Sequence, residues 1–201
     1  MYVVQVNAMK PTMGTQQFEN LIFHNVSERG LSVDDVSRRM LTFVAADPRA
    51  AYQFVIGTDC QVHRGYTKFV TGVILRRMGK GAWACYRQIV LTRELTSVQE
   101  KLSLETALSQ EAACYFSQDA LGQIEELLLP YLYQGASLES FIDIDAGTQP
   151  VVNKTSLYVQ DMVNRVKAMG TYGVRVKPDA VAASAYANRH TKQPVRLESS
   201  V

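Results

Sequence analysis

Several acidic residues of this sequence stand among apolar neighbours, and their side chains are the ones best suited to chemistry. Residues 53–62 read QFVIGTDCQV, an apolar run that predicts a buried strand and reaches Asp59 near its carboxyl end. Alternation along a strand places Asp59 and His63 on one face and Cys60 on the other. In open α/β sheets, binding sites lie at the carboxyl ends of strands. Asp59 is therefore a candidate site residue.

A second acid, Glu105, lies on the apolar side of a predicted helix that covers residues 96–116. Spacings of three and four residues put it on the same stripe as Val98, Leu102, Ala112 and Phe116. A carboxylate on a core-facing stripe has to be paired, protonated or bound to a metal ion. A salt bridge to Lys101, one turn earlier, is the structural alternative.

Two aspartates follow each other in the predicted strand of residues 138–145, LESFIDID. Alternation puts Asp143 and Asp145 on the same face of that strand. Asp143 stands within the apolar run, which favours a functional role. Asp145 stands close to Gly147, where an aspartate more often opens a turn.

Asp179 completes the set, because it directly follows Pro178 at the end of the last predicted strand. The N-cap of a helix is the alternative reading there. Taken together, the acids Asp59, Glu105, Asp143, Asp145 and Asp179 offer the oxygen ligands that Mg²⁺ or Mn²⁺ prefer. Two such ions about 4 Å apart can activate a water molecule and stabilise the leaving oxygen of a phosphodiester.

Other kinds of site have weaker support in this sequence. His24, His63 and His190 are too scattered to predict a zinc site. The sequence contains neither a P-loop nor a G-x-G-x-x-G motif. A serine–histidine–aspartate triad is not marked by any spacing.

The elements that must position these acids alternate between strand and helix. A helix over residues 33–46 is predicted to begin after Ser32 and to stop before Asp47-Pro48. Strands are predicted over residues 53–62, 68–78, 82–92, 138–145 and 172–177. Further helices are predicted over residues 96–116, 119–129, 156–168 and 179–188. Asn153 to Ser156 can cap the third of these. This order predicts a single α/β domain.

Composition describes a globular chain of ordinary size. Of 201 residues, 47% are hydrophobic and 20% are charged, which excludes an intrinsically disordered chain. The three widely spaced cysteines predict reduced thiols and a cytoplasmic protein. We see neither a secretory signal nor an apolar run long enough to span a membrane.

The net charge of +2 is unevenly distributed along the chain. Cations dominate residues 60–93 and 150–201, and acids dominate residues 94–149, which is typical of a phosphate-binding protein or of solvated faces that cluster by chance. We expect phosphate contacts of a nucleic acid from Lys68, Arg76, Arg77, Lys80, Arg87 and Lys154. Trp83 and Tyr86 could stack on bases, although Trp83 suits the core equally well.

The order of strands, helices and acids resembles the ribonuclease H-like fold. More closely, the chain resembles the YkuK-type family of bacterial ribonuclease H-like proteins, over about residues 31–192. The resemblance is carried by VIGTDCQVH, TKFVTGVI, GKGAWACYRQ, KLSLETALS, LLLPYLY, FIDID, NKTS with VQDMV, and KPDAVAASAYANR. Residues 1–30 match nothing in it and are interpreted as an extension of the domain formed by residues 31–201.

The resemblance implies a mixed five-stranded sheet flanked by helices, with the first three strands antiparallel. It places the fold's first aspartate on Asp59 and its helix glutamate on Glu105. The next aspartate falls on Asp143, with Asp145 as the near alternative, and the last acid falls on Asp179. One departure is Cys60, where a serine is expected in relatives.

Three functions are consistent with these observations. The first is a nuclease that hydrolyses RNA, DNA or a hybrid with two Mg²⁺ or Mn²⁺ ions. The second is a non-catalytic nucleic-acid-binding module on the same fold. The third is a structural or partner-binding protein whose charge blocks are incidental.

Overall fold

Seven strands form one mixed sheet in the computed structural model, which describes residues 21–116, 120–147 and 156–194. The strands are β1 (Phe23–His24), β2 (Arg29–Leu31), β3 (Ala51–His63), β4 (Tyr66–Arg77), β5 (Ala82–Leu91), β6 (Ser137–Gly147) and β7 (Gly173–Lys177). Their spatial order is β2-β1-β5-β4-β3-β6-β7. Strands β3, β4 and β5 form an antiparallel meander, and β6 and β7 continue the sheet parallel to β3.

The mixed α/β class is confirmed, and the expected count of five strands is wrong. All five predicted strands are present, and residues 23–31 add β1 and β2 at the β5 edge, where His24 lies opposite Tyr86. Strands of two and three residues are too short to show the alternation by which a strand is recognised in a sequence.

The predicted helices are present with small shifts at their ends, and a 3₁₀ helix that was not predicted follows the third of them. They are α1 (Val33–Ala45), α2 (Val98–Phe116), α3 (Ala120–Leu128), a 3₁₀ helix (Leu129–Gln134) and α4 (Ser156–Lys167). A C-terminal helix, residues 182–191, combines a π-helical stretch (Ala182–Ala187) with α5 (Asn188–Thr191). Within the described ranges no helix has both the length and the apolar character needed to cross a membrane.

Local hydrogen bonds explain two of the helix starts. Ser32 caps α1, since its hydroxyl accepts from the Asp35 N–H at 3.1 Å and the Asp35 carboxylate accepts from the Ser32 N–H at 3.0 Å. The C-terminal helix starts later than predicted because the Asp179 N–H closes a turn on the Val176 carbonyl at 2.8 Å. The predicted cap of α4 at Asn153 lies outside the described residues.

The two faces of the sheet are covered by different elements. On the first face, helices α1 to α4 bury a large core that includes Phe54, Ile56, Leu75, Leu102 and Phe116. Trp83 is partly buried and packs against this core, so its indole lies on the first face. On the second face, Ala182 and Tyr186 of the C-terminal helix pack on Val55 and Ile74 in a small cluster.

Gly72 lets the C-terminal helix approach the sheet closely. A Cβ atom at this position would lie 2.9 Å from Cδ1 of Tyr186 and 3.4 Å from the carbonyl oxygen of Ala182. The first value is shorter than real Cβ contacts, and the second, to a backbone atom, lies at the lower limit of ordinary van der Waals contact. Any side chain at position 72 therefore pushes the helix away from β4.

We expect Gly72→Ala to lower the free energy of unfolding by about 1–3 kcal/mol, the usual cost of overpacking. Urea unfolding followed by circular dichroism measures it. Gly122→Ala in α3 is the matched control, because its Cβ would meet nothing within 4 Å and alanine favours a helix. Equal stability changes in the two variants would contradict the close approach.

Candidate active site

The parallel pairing of β3 with β6 brings Asp59 and Asp145 next to each other. The register joins Gly57 to Asp143 and Thr58 to Ile144, so one further residue along both strands leads to Asp59 and Asp145. Neighbours in register point to the same face of a sheet. The two carboxylates therefore follow the paired segments of two parallel strands, close enough for the Asp145 charge to raise the pKa of Asp59.

Asp59 is partly buried and held by two hydrogen bonds. Its Oδ2 accepts from the hydroxyl of Thr191 at 2.8 Å, and its carboxylate also accepts from the backbone N–H of Cys60. Burial raises the pKa of Asp59 to about 6; the Thr191 hydrogen bond opposes this shift, and the negative charge of Asp145 adds to it. Asp59 thus bears an incompletely compensated charge.

Glu105 approaches the same strand from helix α2. Its carboxylate accepts from the thiol and the backbone N–H of Cys60. Burial raises the pKa of Glu105 to about 8; the Cys60 thiol hydrogen bond opposes this, and the charges of Asp59 and Asp145 raise it further. The alternative considered above, a salt bridge to Lys101, does not form between these two described residues.

Buried hydroxyl groups fix the position of Glu105 relative to β3. The hydroxyl oxygens of Thr58 and Ser109 are 2.8 Å apart, and those of Thr58 and Thr71 are 2.9 Å apart. Ser109 also donates to the carbonyl of Glu105 at 3.0 Å. These bonds join β4, β3 and α2 one helical turn from the glutamate.

Asp145 is the third member of this carboxylate cluster. Its Oδ1 lies 3.0 Å from the Nζ of Lys177, close enough for an ion pair. The angles of that contact do not form a hydrogen bond, and the buried Oδ1 has no hydrogen-bond partner among the described residues. A buried carboxylate oxygen without a hydrogen bond is costly, and here the Lys177 ammonium group is its counter-charge.

Asp143 lies two residues earlier and has a different environment. Its side chain is fully buried, and its two oxygens accept from Nε and Nη2 of Arg175 at 2.7 and 3.1 Å. The backbone N–H groups of Val181 and Ala182 also donate to it, the latter at 2.6 Å. Burial raises the pKa of Asp143, and the Arg175 guanidinium opposes that shift. Asp143 thereby anchors the C-terminal helix to β6 and β7.

Asp179 lies on the exposed turn that follows β7. Its side chain makes neither a hydrogen bond nor an ion pair with the part of the chain that is described. It is not joined to Asp59, Glu105 or Asp145 by any contact in the structure.

The cluster of Asp59, Glu105 and Asp145 fits a divalent ion in its chemistry. Among the described residues, no group of three or more histidine, cysteine, aspartate or glutamate side chains is arranged so that it could hold a metal ion. Mg²⁺, however, is usually bound by one or two carboxylates together with water and substrate phosphate. Asp145 Oδ1, which has an ion pair but no hydrogen bond, and the oxygen-only side chains match that mode of binding.

Lys68, a predicted phosphate contact, is buried. Its Nζ donates to the carbonyl oxygens of His190 at 2.6 Å and of Gln193 at 2.8 Å, at the end of the C-terminal helix. Asp143 holds the start of that helix and Lys68 holds its end. The same helix presents Thr191 to Asp59.

The other predicted cations lie far from the carboxylates or are paired. Arg77 and Lys80 pair with Asp47 at 3.4 and 3.0 Å, and Arg87 pairs with Glu111 at 3.0 Å. Arg76 lies opposite Gln53, which is roughly 20 Å along β3 from Asp59 at about 3.3 Å per residue. Lys154 lies outside the described residues.

Two residues that were not singled out from the sequence contact the acids directly, and three exposed cations were also not singled out. Thr191 and Lys177 contact Asp59 and Asp145, respectively. Arg64, Arg189 and Lys192 are exposed cations in the β3–β4 turn and at the end of the C-terminal helix, and none of them has an ion pair within the described ranges. Their only sequence signal was a position just beyond a predicted element.

Histidines and tyrosines line the second face of the sheet without forming a metal site. His190 stacks on Tyr86, with ring centroids 4.0 Å apart, and His63 stacks on Tyr66 at 4.8 Å. The Nε2 atom of His63 lies 3.2 Å from the carbonyl oxygen of Thr191. These rings pack the C-terminal helix against β3, β4 and β5.

A family model described as "Ribonuclease H-like" matches residues 35–192, a span that includes all five candidate acids. The chain therefore belongs to the ribonuclease H-like family. It is 42% identical over 174 residues to "Uncharacterized protein YkuK" of Bacillus subtilis (strain 168). The aligned residues cover 87% of this chain and 99% of that protein. No solved structure matches the chain. The family resemblance stated from the sequence is thus confirmed.

The raised pKa values predict how stability depends on pH without metal. A carboxyl group whose pKa is raised on folding keeps its proton in the folded protein at pH values where the unfolded chain has lost it. For Glu105, the free energy of unfolding therefore falls as pH rises from about 4.5, the ordinary pKa, to about 8, the pKa in the folded protein. We expect Glu105→Gln to remove most of this fall. At about pH 8 the variant should exceed wild type by roughly 1 kcal/mol or more, because each pKa unit corresponds to about 1.4 kcal/mol.

Urea unfolding in EDTA at several pH values between about 5 and 8 measures the difference. The control is Glu111→Gln, since Glu111 lies on the same helix and pairs with Arg87. A wild-type stability that does not decrease over this range would contradict the buried, negatively charged cluster.

Proposed function

We propose that the protein is a divalent-metal-dependent nuclease that hydrolyses phosphodiester bonds of a nucleic acid. The observation that supports this most is the cluster of Asp59 and Asp145, at the ends of two parallel strands, with Glu105 of helix α2, three acids whose charges are mutually unfavourable in a ribonuclease H-like chain. Keeping like charges together destabilises the metal-free protein, and such sites are often functional. Bound cations would convert this repulsion into attraction.

Asp59 and Asp145 would hold the ions from the sheet, and Glu105 would complete the site from helix α2. Asp179 is the candidate for a fourth acid. When bound, two Mg²⁺ or Mn²⁺ ions supply an activated water and stabilise the leaving oxygen.

The surrounding residues have the task of keeping these carboxylates in place. Thr191 fixes the orientation of Asp59 through its hydroxyl, and the hydroxyl bonds of Thr58 and Ser109 fix the helix that carries Glu105. Asp143 and Lys68 hold the helix that carries Thr191. Precise positioning of this kind is what a hydrolytic site requires.

Substrate phosphates would meet exposed cations that have no ion pair within the described ranges. Arg64 lies in the turn after β3, and Arg189 and Lys192 flank Thr191, which contacts Asp59. Arg76, Arg77 and Lys80 lie at the other end of the sheet, and Arg87 is paired with Glu111. Such contacts position a strand without reading its sequence. We therefore expect cleavage with little base preference.

The test is cleavage of end-labelled single-stranded RNA, single-stranded DNA and an RNA–DNA hybrid with Mg²⁺, Mn²⁺ or EDTA. We expect Asp59→Asn to lower cleavage by about 100-fold or more, because a metal ion contributes several kcal/mol to the transition state. Binding of the oligonucleotide should persist, since the cations are unchanged. Asp34→Asn, which removes an exposed carboxylate of α1, should behave as wild type.

Equal cleavage by wild type and Asp59→Asn would show that the site is placed wrongly. Salt-dependent binding of every substrate without cleavage by wild type would favour the non-catalytic nucleic-acid-binding module. The absence of both would leave a structural or partner-binding role.

A further inference from the structure

Two ion pairs join β6 and β7 side by side, and they differ in kind. In the first, Asp143 pairs with Arg175 in direct register. In the second, Asp145 pairs with Lys177, after the register of the two strands shifts between Ile144 and Gly147. The same strands thus provide a comparison between a buried, fully hydrogen-bonded pair, called closed here, and a partly exposed pair without a hydrogen bond, called open.

The Asp143–Arg175 pair is closed. The Arg175 side chain is 14% exposed and that of Asp143 is fully buried. The guanidinium donates two hydrogen bonds to the Asp143 carboxylate, and two backbone N–H groups donate to the same carboxylate. A bidentate pair of this kind is specific in geometry and difficult to separate.

The Asp145–Lys177 pair is open. Its single contact of 3.0 Å lacks hydrogen-bond geometry, and the Lys177 side chain is 45% exposed. A lysine ammonium group is a strongly hydrated point charge on a flexible stem. It can leave Asp145 for water at small cost, whereas Asp145, at 13% exposure, stays where it is.

Lys177 also acts on the neighbouring carboxylate. The Asp145 charge disfavours ionisation of Asp59, and the Lys177 charge favours it. The ammonium group therefore compensates part of the negative charge that the cluster accumulates. A divalent ion bound by Asp145 would do the same with twice the charge.

We propose that Lys177 is a resident counter-ion of the carboxylate cluster that competes with a divalent metal ion for Asp145 and leaves when the ion binds. This inference rests on the proposed function, because it takes the ion to bind at Asp59, Glu105 and Asp145. The alternative is an ordinary surface ion pair, which contributes little to anything nearby.

The test is a Mn²⁺ titration, with free Mn²⁺ followed by electron paramagnetic resonance at fixed pH and ionic strength, without substrate. We expect Lys177→Met to bind Mn²⁺ about tenfold or more tightly than wild type, because a competing positive charge a few ångströms away is removed. Lys177→Gln should behave in the same way and serves as a second neutral variant if the methionine variant folds poorly. Lys177→Arg retains the charge and should stay within about twofold of wild type.

Lys80→Met is the matched control. Lys80 also lies 3.0 Å from an aspartate, Asp47, but at the opposite end of the sheet, so that its removal changes the net charge equally and should leave Mn²⁺ affinity unchanged. Asp145→Asn should lose the site.

The outcomes separate this inference from the proposed function. If Asp145→Asn loses Mn²⁺ while both neutral Lys177 variants bind as wild type or more weakly, the competition is refuted and the metal site stands. If wild type and the neutral Lys177 variants all fail to bind Mn²⁺, the metal site and the competition are both refuted. Tight binding by the neutral variants together with weak binding by wild type supports the competition.

Discussion

A buried carboxylate must be compensated, and this constraint determines how the acids of this protein are arranged. Asp143 is compensated completely, by a guanidinium group and two backbone N–H groups. Asp59, Glu105 and Asp145 are compensated only in part, by single hydroxyl, thiol or amide donors and one loosely held ammonium group. The first arrangement builds structure. The second leaves negative charge at one place, which is the metal site that we propose.

The compensated charges in turn hold the uncompensated ones in position. Asp143 lies at the start of the C-terminal helix and Lys68 at its end, the arrangement that the dipole of a helix favours. Breaking one partner of a buried pair typically costs about 3–5 kcal/mol, so the helix is firmly attached to the sheet. Because Thr191 lies on this helix, its hydroxyl stays on Asp59. Gly72 makes the arrangement possible by leaving room for Tyr186.

Much of the fold could be predicted from the sequence, because it depends on periodicity and on local caps. The alternation of β3, the capping of α1 by Ser32 and the placement of Glu105 on the inner side of α2 are properties of neighbouring residues. Strands β1 and β2 could not be predicted, since their few residues form strands only by pairing with β5 and with each other. The family itself was recognisable from motifs spread along most of the chain.

The candidate site could be predicted only in part, because partners distant in sequence decide what each acid does. Alternation puts Asp143 and Asp145 on one face and cannot separate them. What distinguishes Asp143 is its hydrogen bonds from Arg175, 32 residues away, and from the N–H of Ala182, 39 residues away. Lys68 looked like a surface cation because its carbonyl partners lie 122 and 125 residues away.

The measurement that tests the central claim most directly is one that reports on the carboxylates themselves: the melting temperature of wild type and Asp59→Asn as a function of Mg²⁺ concentration. A metal site predicts that wild type melts at rising temperature as Mg²⁺ increases, while Asp59→Asn is more stable than wild type in EDTA and does not respond to Mg²⁺. If both proteins respond equally, or neither responds and the substitution lowers stability in EDTA, Asp59 is a structural residue and the account of the site is wrong.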